Sequence, residues 1–586
     1  MPTRTHTSAA LGLMLIIAPA RASEETPEGP TPEQTAWVRE HAIPVRTVEA
    51  GNGLNDLAPL AELIGEARVV ALGETTHGSR EQFQMKHRLL EYLVEEVGFS
   101  VFSIEANMPE SYEVNRYVVG GEGDPSQLIK GMYFWTWATE EVLTMVEWMY
   151  DANAESREKG LDPVIRFTGF DMQFPKVAAK IAQDSAREHD SEFADRVATL
   201  YETALNVTSQ APASITDLQL DAGSLAGKTV RVTGRMRTIG VNEGWAGVWV
   251  RADKNGVNLL IDNMQIDGPR FTTPWADYDA EIDIPADADS VTVGTLLVGP
   301  GTLLVDDFRI LADGEPVELP DALASGFDVP IGTDATATGL IARGNSAKGK
   351  VIDDEEQGRC LSIATIDDGM STPAEALKAA GDAYALFQAE AQAMAESLGE
   401  RDAAWAVQNA RIVAQHASLQ TAAGMERLRV RDRAMADNLL WILEQDPDAR
   451  VVIWAHNGHV HRNDPWMGMH LDEALGDDYY AIGFNTESGR YRAHSPRVGG
   501  RGGFDLLDAP PLSVARILGS AGPDLLILPL KASREDDPGS GWAHEPRPFR
   551  HIGALETNYQ FQPARVAQLY DALMFTRETT DAVPLP

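Results

Sequence analysis

Histidine and glutamate residues follow short apolar runs at three places in this sequence. Glu74 and His77 come after one run, Glu105 after a second, and His456 and His459 after a third. A histidine beside carboxylates acts as a general base near neutral pH, because the carboxylate orients the imidazole and stabilises its protonated form. Further imidazoles can donate hydrogen bonds to a developing oxyanion. We therefore expect these five residues to be catalytic, in attack of water on an ester or related acyl bond without a covalent intermediate.

Three polar residues near these runs are assigned to substrate binding. Arg80 and Asn457 lie in the same polar stretches as His77 and His456, and Asp171 follows a fourth apolar run. A loop-stabilising role is the alternative for Asp171.

The same glutamates and histidines are also typical of a metal site, because carboxylate and imidazole groups bind Zn²⁺ or Mn²⁺. A metal-dependent hydrolase is thus an open alternative, although no residue is assigned as a metal ligand and no cofactor is expected. The sequence has no H-E-x-x-H zincin motif and no G-x-S-x-G nucleophile elbow. Residues 344–350 nearly match a phosphate-binding loop, but Val351 stands where Ser or Thr is required.

The four apolar runs predict strands of one sheet. They lie at residues 68–72, 99–104, 164–168 and 451–454, and helical periodicity covers residues 81–96. Alternation of strands and helices is typical of a mostly parallel sheet flanked by helices. Open α/β sheets bind ligands outside the carboxyl ends of their strands, so we expect the polar residues to meet at that edge.

A change of pattern near residue 207 indicates an inserted domain. Many short alternating strands, among them residues 229–233, 247–250, 259–261 and 303–305, predict an antiparallel, jelly-roll-like β-sandwich over residues 207–368. Helical periodicity resumes near Thr372 and continues to about Gln445. We therefore expect an α/β catalytic domain in two halves, residues 36–206 and 369–586, the second beginning with a helical cap. Three consecutive domains are the alternative.

The amino terminus has the features of a secretory signal. An apolar run at residues 11–18 precedes Ala20-Arg21-Ala22, which fits an A-x-A cleavage site. We expect a signal peptide over residues 1–22, a leader over residues 23–35, and an exported, periplasmic protein with no membrane attachment after cleavage. A short membrane anchor is the alternative.

Charge and cysteine content exclude several other classes of protein. The 586 residues carry 49 Lys and Arg against 88 Asp and Glu, a formal charge of −39, which makes the chain a poor partner for nucleic acid. Cys360 is the one cysteine, so neither an internal disulfide nor a cysteine-cluster metal site can form.

Segments across both halves of the expected catalytic domain resemble the erythromycin esterase family. The residues that carry the resemblance are Gly73-Glu74-Thr75-Thr76-His77-Gly78, Glu81, Phe83, Lys86, Gly98-Phe99, Ile104-Glu105, Phe134-Trp135, Gly169-Phe170-Asp171, residues 431–438, and Trp454-Ala455-His456-Asn457-Gly458-His459.

The resemblance implies a hydrolase that cleaves a cyclic ester by water attack, with His77 as the general base. It implies that Glu74 and Glu105 orient and tune this base, and that His456 and His459 bind substrate or stabilise the oxyanion. Lys86 stands where the family often has Arg, and we assign Lys86 and Trp135 to substrate binding. The family is usually described as metal-independent, whereas distant relatives with a similar Gly-x-x-His element depend on metal.

The inserted domain is a departure from the family, and it is similar to jelly-roll carbohydrate-binding modules. Trp245, Trp249 and Trp275 are candidates for a stacking platform for sugars, with a place in the sandwich core as the alternative. The expected partners are thus a small ester or lactone, which includes a macrolide as one possibility, and a carbohydrate at the insert. A non-catalytic glycan-binding protein is a further alternative.

Overall fold

The computed structural model describes residues 29–206, 213–241, 244–254, 257–265, 267–344, 349–364, 371–495 and 500–586. The expected signal peptide and the first residues of the expected leader lie outside these ranges. Among the residues that are described, no helix is long and apolar enough to cross a membrane.

The elements that precede the insert alternate between helices and strands. In chain order they are α1 (Pro32–His41), β1 (Ile43–Pro44), α2 (Pro59–Ile64), β2 (Val69–Leu72), α3 (Arg80–Glu95), β3 (Val101–Asn107), α4 (Met108–Gly120), α5 (Pro125–Gly131), α6 (Glu140–Ala152), α7 (Ala154–Lys159), β4 (Arg166–Asp171), α8 (Lys176–His189) and α9 (Ser191–Leu205).

Strands dominate the next part of the chain. They are β5 (Ala213–Leu220), β6 (Thr229–Ile239), β7 (Trp245–Lys254), β8 (Val257–Asp262), β9 (Ala276–Asp283), β10 (Ser290–Val298), β11 (Thr302–Ala312), β12 (Glu315–Pro316), β13 (Ile341–Gly344), β14 (Lys350–Asp354) and β15 (Gly358–Ala364), with the short helices α10 (Ala222–Leu225) and α11 (Asp321–Ala324) between them.

Three long helices open the last part of the chain, and strands then return. The elements are α12 (Pro373–Leu398), α13 (Glu400–Thr421), α14 (Gly424–Gln445), β16 (Val451–Trp454), α15 (Asn457–Val460), α16 (Met467–Leu475), β17 (Tyr479–Ser495), β18 (Gly500–Asp505), α17 (Val514–Gly519), β19 (Leu525–Pro529), β20 (Arg547–Arg550), β21 (Phe561–Ala564), α18 (Val566–Leu569) and β22 (Ala572–Thr579).

One mixed, mostly parallel sheet takes strands from both sides of the insert. Its order is β1-β19-β22-β17-β2-β16-β3-β4, and β18 pairs with β17. The five neighbouring pairs from β22 to β4 are parallel, and β19 is antiparallel to both β1 and β22. The expected α/β fold class is confirmed. The strand predicted over residues 164–168 is β4, which begins two residues later than predicted and extends to Asp171.

Both faces of this sheet are buried, because its central strands β2 and β16 are apolar at every position. Val69 and Ala71 of β2 pack with the helices of one face, including α8, α9 and α12–α14. Val70 and Leu72 pack on the other face with α3 and α6. The two-residue alternation of a strand therefore places one buried layer on each side of the sheet.

The insert consists of two antiparallel sheets, as the alternating pattern predicts. Their orders are β13-β5-β10-β7-β8 and β14-β15-β11-β6-β9, and one apolar core takes side chains from both. Trp249 and Trp275 are buried and Trp245 is half-buried. The core takes Val248 and Val250 from β7, so Trp249 lies on the opposite face of that strand, and Trp275 packs in a separate cluster with Leu304 and Cys360. The two buried rings therefore neither form an open platform nor fill the core between the sheets. At the base of the insert, the Ser371 amide donates to the carbonyl of Asn206, 2.9 Å away.

Candidate active site

The expected catalytic residues meet at the carboxyl ends of adjacent parallel strands. Strand β16 lies between β2 and β3, with Trp454 in register with Leu72 on one side and Ile104 on the other. The loops after these strands therefore begin at the same edge. The ring centres of His77 and His456 are 5.3 Å apart, although the two residues are nearly four hundred positions apart in the chain.

Close backbone contacts hold the loop that carries Glu74 and His77. A Cβ at Gly73 would lie 2.1 Å from Oδ1 of Asn457, and a Cβ at Gly78 would lie 1.9 Å from the carbonyl oxygen of Arg492. Only glycine permits these approaches. The side chain of Asn457 is buried and bonds both the amide and the carbonyl of Phe484, and its backbone amide donates to the carbonyl of Glu74 at 2.9 Å, so Asn457 links this loop to β17.

Glu74 is a buried carboxylate with three hydrogen-bond donors. It accepts from Nδ1 of His77 at 2.6 Å, from Nζ of Lys86 at 2.6 Å and from Nε1 of Trp454 at 2.7 Å. Burial lowers the pKa of Lys86 to about 8, although the charge of Glu74 acts in the opposite direction. Lys86 is completely buried, and its ammonium bonds Oε2 of Glu74, the oxygen that His77 does not use.

His77 is oriented through one ring nitrogen and open at the other. Because Nδ1 donates to the Glu74 carboxylate, the neutral ring presents an unprotonated Nε2. No described residue hydrogen-bonds Nε2, and 12% of the side chain remains exposed. The rings of Trp137 and His456 flank it, with centres 5.6 and 5.3 Å away. This is the arrangement of a general base with its carboxylate partner.

His459 is held as an imidazolium between two carboxylates. Its Nδ1 lies 2.7 Å from Oδ1 of Asp432, and its Nε2 lies 3.2 Å from Oε1 of Glu105 and 3.2 Å from Nη1 of Arg431. Burial alone would lower the pKa of His459, but the charges of Glu105 and Asp432 outweigh it and raise the pKa to about 10. His459 therefore supplies positive charge at neutral pH and does not act as a base.

Arg431 joins two carboxylates beneath the site. Its Nη2 lies 2.8 Å from Oε1 of Glu105 and 2.7 Å from Oδ2 of Asp171. Burial would raise the pKa of Glu105, but His459 and Arg431 hold it well below its usual range. Asp171 is buried and bonded in this way, which places it in the ion network rather than in open contact with a substrate.

His456 is neutral, and both of its ring nitrogens bond within the protein. Nδ1 accepts from the amide of Gly458 at 3.1 Å, where His456 caps the short helix α15. Nε2 then carries the proton and donates to the carbonyl of Thr75 at 3.3 Å. Burial, with His551 and His77 nearby, lowers the pKa of His456 well below its usual range.

Two of the expected binding residues lie at the margin of the cluster. Arg80 begins α3, is largely exposed and has Nε 3.4 Å from Oε1 of Glu141. Trp135 is half-buried, and the guanidinium of Arg501 lies 5.4 Å from the centre of one of its rings. Neither side chain takes part in the ion network around Glu74 and Glu105.

The structure adds three residues that the strand-edge argument missed. Arg431 and Asp432 come from α14, where helical periodicity gave no reason to assign them a role, although they lie in a stretch that carries the family resemblance. His551 follows β20, and its ring centre lies 4.4 Å from that of His456. His551 lies outside the segments that carry the family resemblance and follows no predicted strand, so nothing in the sequence indicated a role for it.

The described residues include a cavity but no cluster suited to a metal ion. Across the described ranges, no group of three or more His, Cys, Asp or Glu side chains is arranged to hold a metal ion. A cavity of about 560 Å³ lies between α12, α13, α14 and residues 464–470. It takes Val430, Arg433 and Ala434 from α14, whereas the ion network takes Arg431 and Asp432, so the helix separates the two.

Comparisons with known proteins identify the family to which the chain is similar. A family model described as "Erythromycin esterase" matches residues 94–233 and 336–579, more than half of the chain. The chain is 32% identical over 138 residues to "Erythromycin esterase type II" of Escherichia coli, which covers 23% of this chain and 31% of that protein. It is 35% identical over 146 residues to "Putative hydrolase YbfO" of Bacillus subtilis (strain 168), which covers 25% and 30%. The matches thus span about a third of these relatives.

Solved structures share the fold over nearly the whole chain. A Bacillus cereus protein has a TM-score of 0.60 at 20% identity, and a succinoglycan biosynthesis protein has 0.55 at 19%; each comparison covers 94% of this chain and 98% of the other. A mutant of the erythromycin esterase EreC in its open conformation has 0.50 at 12%, over 91% of this chain and 96% of the other. At these identities the likeness concerns the fold alone.

Proposed function

The chain belongs to the erythromycin esterase family, and on that basis we propose that it hydrolyses a carboxylic ester or lactone by attack of a water molecule that His77 activates. The observation that carries the proposal is the bond from Nδ1 of His77 to the buried Glu74 carboxylate, with Nε2 left open. The chemistry requires no nucleophilic side chain.

The proposed reaction has two steps. Nε2 of His77 takes a proton from water as the water oxygen bonds to the ester carbonyl carbon, and the carbonyl π electrons move to oxygen. When the tetrahedral intermediate collapses, the bond from carbon to the alkoxide oxygen breaks, and the imidazolium returns the proton to that oxygen. The products are a carboxylic acid and an alcohol, which in a lactone remain one molecule.

The charges around His77 favour this proton uptake. The cluster contains one more carboxylate than cation: Glu74, Glu105, Asp171 and Asp432 stand against Lys86, Arg431 and His459. A proton on His77 therefore brings the cluster to neutrality, and the bond to Glu74 stabilises the resulting imidazolium.

The glutamates and histidines that could bind a metal already bond other side chains, which favours a reaction without metal over the metal-dependent alternative. The Glu74 carboxylate already accepts from Lys86 and Trp454 as well as His77. Both nitrogens of His459 face carboxylates. A metal ion would have to displace these bonds, so we propose that no divalent metal takes part.

The substrate class and the compartment are part of the proposal. The amino-terminal signal at residues 1–22 supports export to the periplasm, and the family supports an ester or a lactone as substrate.

A panel of lactones, macrolides among them, and simple aryl esters tests the proposal. The purified protein, dialysed against a chelator, is expected to hydrolyse at least one of them. The control variant His189→Ala changes a histidine on α8 outside the site, and its rate of hydrolysis is expected to equal that of the wild type. No turnover on any compound would contradict the proposal. Activity that is lost on chelation and restored by stoichiometric Zn²⁺ or Mn²⁺ would favour the metal-dependent alternative.

A further inference from the structure

Four imidazoles surround the proposed reaction centre, but two of them have no free nitrogen. His456 uses Nδ1 and Nε2 to bond Gly458 and Thr75. His459 directs its two nitrogens at Asp432 and Glu105. Because a ring nitrogen carries one proton or one lone pair, neither ring can also donate to a substrate without losing a bond.

His551 has the opposite character. Neither of its ring nitrogens bonds any described residue, although its ring lies edge to face against that of His456. The backbone fixes its position: the amide of His551 donates to the carbonyl of Gln560 at 2.9 Å, and the next amide, of Ile552, donates to the carbonyl of Thr75 at 2.7 Å. His551 is thus tied to the loop that carries Glu74 and His77.

We propose that His551 donates a hydrogen bond to the carbonyl oxygen of the ester as negative charge develops on that oxygen, an assignment that rests on the hydrolysis proposed above. His77 and His551 are then the two imidazoles that contact the reacting atoms, with His456 between them. His456 and His459 act through the side chains and backbone that they position.

His551 is in the protonation state that a hydrogen-bond donor needs if it is to stabilise the oxyanion without transferring its proton. Burial, with the nearby His459 and His77, lowers the pKa of His551 to about 4. The ring is therefore neutral at neutral pH and carries a single N–H group. It stabilises the oxyanion through a hydrogen bond alone, and the only proton that moves is the one His77 takes from water and returns to the leaving oxygen.

Two variants of His551 and one added compound test the assignment. With an ester that the wild type hydrolyses, H551A is expected to lower kcat about a hundredfold, the typical cost of losing one oxyanion donor, with little change in KM. Imidazole in the buffer is expected to restore part of the kcat of H551A, whereas H551F, which fills the space, is expected to stay impaired. His189→Ala, with the same additions, is the control.

The outcomes separate the assignment from the proposed function. A kcat of H551A or H551F within threefold of wild type overturns the role of His551 and leaves hydrolysis by His77 standing. A folded H551A that imidazole does not restore also overturns it, because a merely structural role predicts that result. A wild type that hydrolyses no ester contradicts the proposed function, and the assignment falls with it. Thermal unfolding identifies which of the two variants are folded. One folded variant is enough to decide the role of His551.

Discussion

The indole of Trp454 donates a hydrogen bond from Nε1 to Oε2 of Glu74 over 2.7 Å, across 380 positions of sequence. The same oxygen lies 2.6 Å from Nζ of Lys86, which also sits 4.4 Å from the centre of a Trp454 ring. The carboxylate that orients His77 is therefore held by both halves of the catalytic sheet. The base is positioned only when strands β2 and β16 are paired.

Lys86 makes the activity sensitive to alkaline pH. Its pKa is lowered to about 8, so above that pH the ammonium loses its proton and the Glu74 carboxylate loses the positive charge beside it. We expect kcat/KM of the wild type to fall as pH rises through about 8. Lys86→Arg keeps the charge to much higher pH, because the guanidinium pKa exceeds about 12, and its profile is expected to remain flat in this range. Superimposable pH profiles of the two proteins would contradict this role.

Arg431 is expected to be critical for stability. Replacing it with Met leaves Asp171 buried without this cation and leaves Glu105 with His459 alone, and breaking a buried pair costs about 3–5 kcal/mol of the free energy of unfolding. Arg433→Met is the matched control on the same helix, because Arg433 is 61% exposed and pairs with Asp437; we expect a loss below about 1 kcal/mol there. Urea unfolding measures both, and equal losses would argue against the buried network.

Buried neutral histidines predict a loss of stability in mild acid. Burial lowers the pKa values of His87, His416, His461 and His551 to about 4. The unfolded chain takes up these protons near pH 6.5, so it binds more protons than the folded protein between about pH 6.5 and 4. The free energy of unfolding is therefore expected to fall as pH decreases through that window.

The matched variant for the acid effect is His87→Phe, at a ring whose centre lies 5.5 Å from that of Trp148. Its free energy of unfolding is expected to fall less steeply than that of wild type between pH 6.5 and 4. Denaturant unfolding at several pH values provides the comparison. Identical slopes would show that His87 is not held neutral in the folded state.

The sequence predicts those parts of the site that follow apolar strands. Strands β2 and β16 are apolar at every position, and β3 begins with the mainly apolar run of residues 101–104, which marks all three as buried. The rule for parallel sheets then places Glu74, Glu105 and His456 at one edge. The register across β2, β16 and β3 shows why the rule works here.

The sequence does not predict the roles that depend on the direction in which a side chain points. Arg431 and Asp432 lie on a helix whose periodicity marks only its apolar face, and nothing local indicates that α14 turns them towards Glu105 and His459. Hydrogen-bond partners likewise show that both ring nitrogens of His456 are bonded, whereas those of His551 bond none of the residues that the structure describes. Such accounting requires coordinates, because each partner comes from a distant part of the chain.

The rate of hydrolysis by His77→Asn tests the central claim most directly. With an ester that the wild type cleaves, kcat/KM is expected to fall by about a thousandfold, within the range that general-base catalysis contributes. His189→Asn, at a histidine of α8 remote from the site, is expected to retain the wild-type value. A folded His77→Asn protein whose kcat/KM stays within tenfold of wild type would contradict the claim that His77 activates the water.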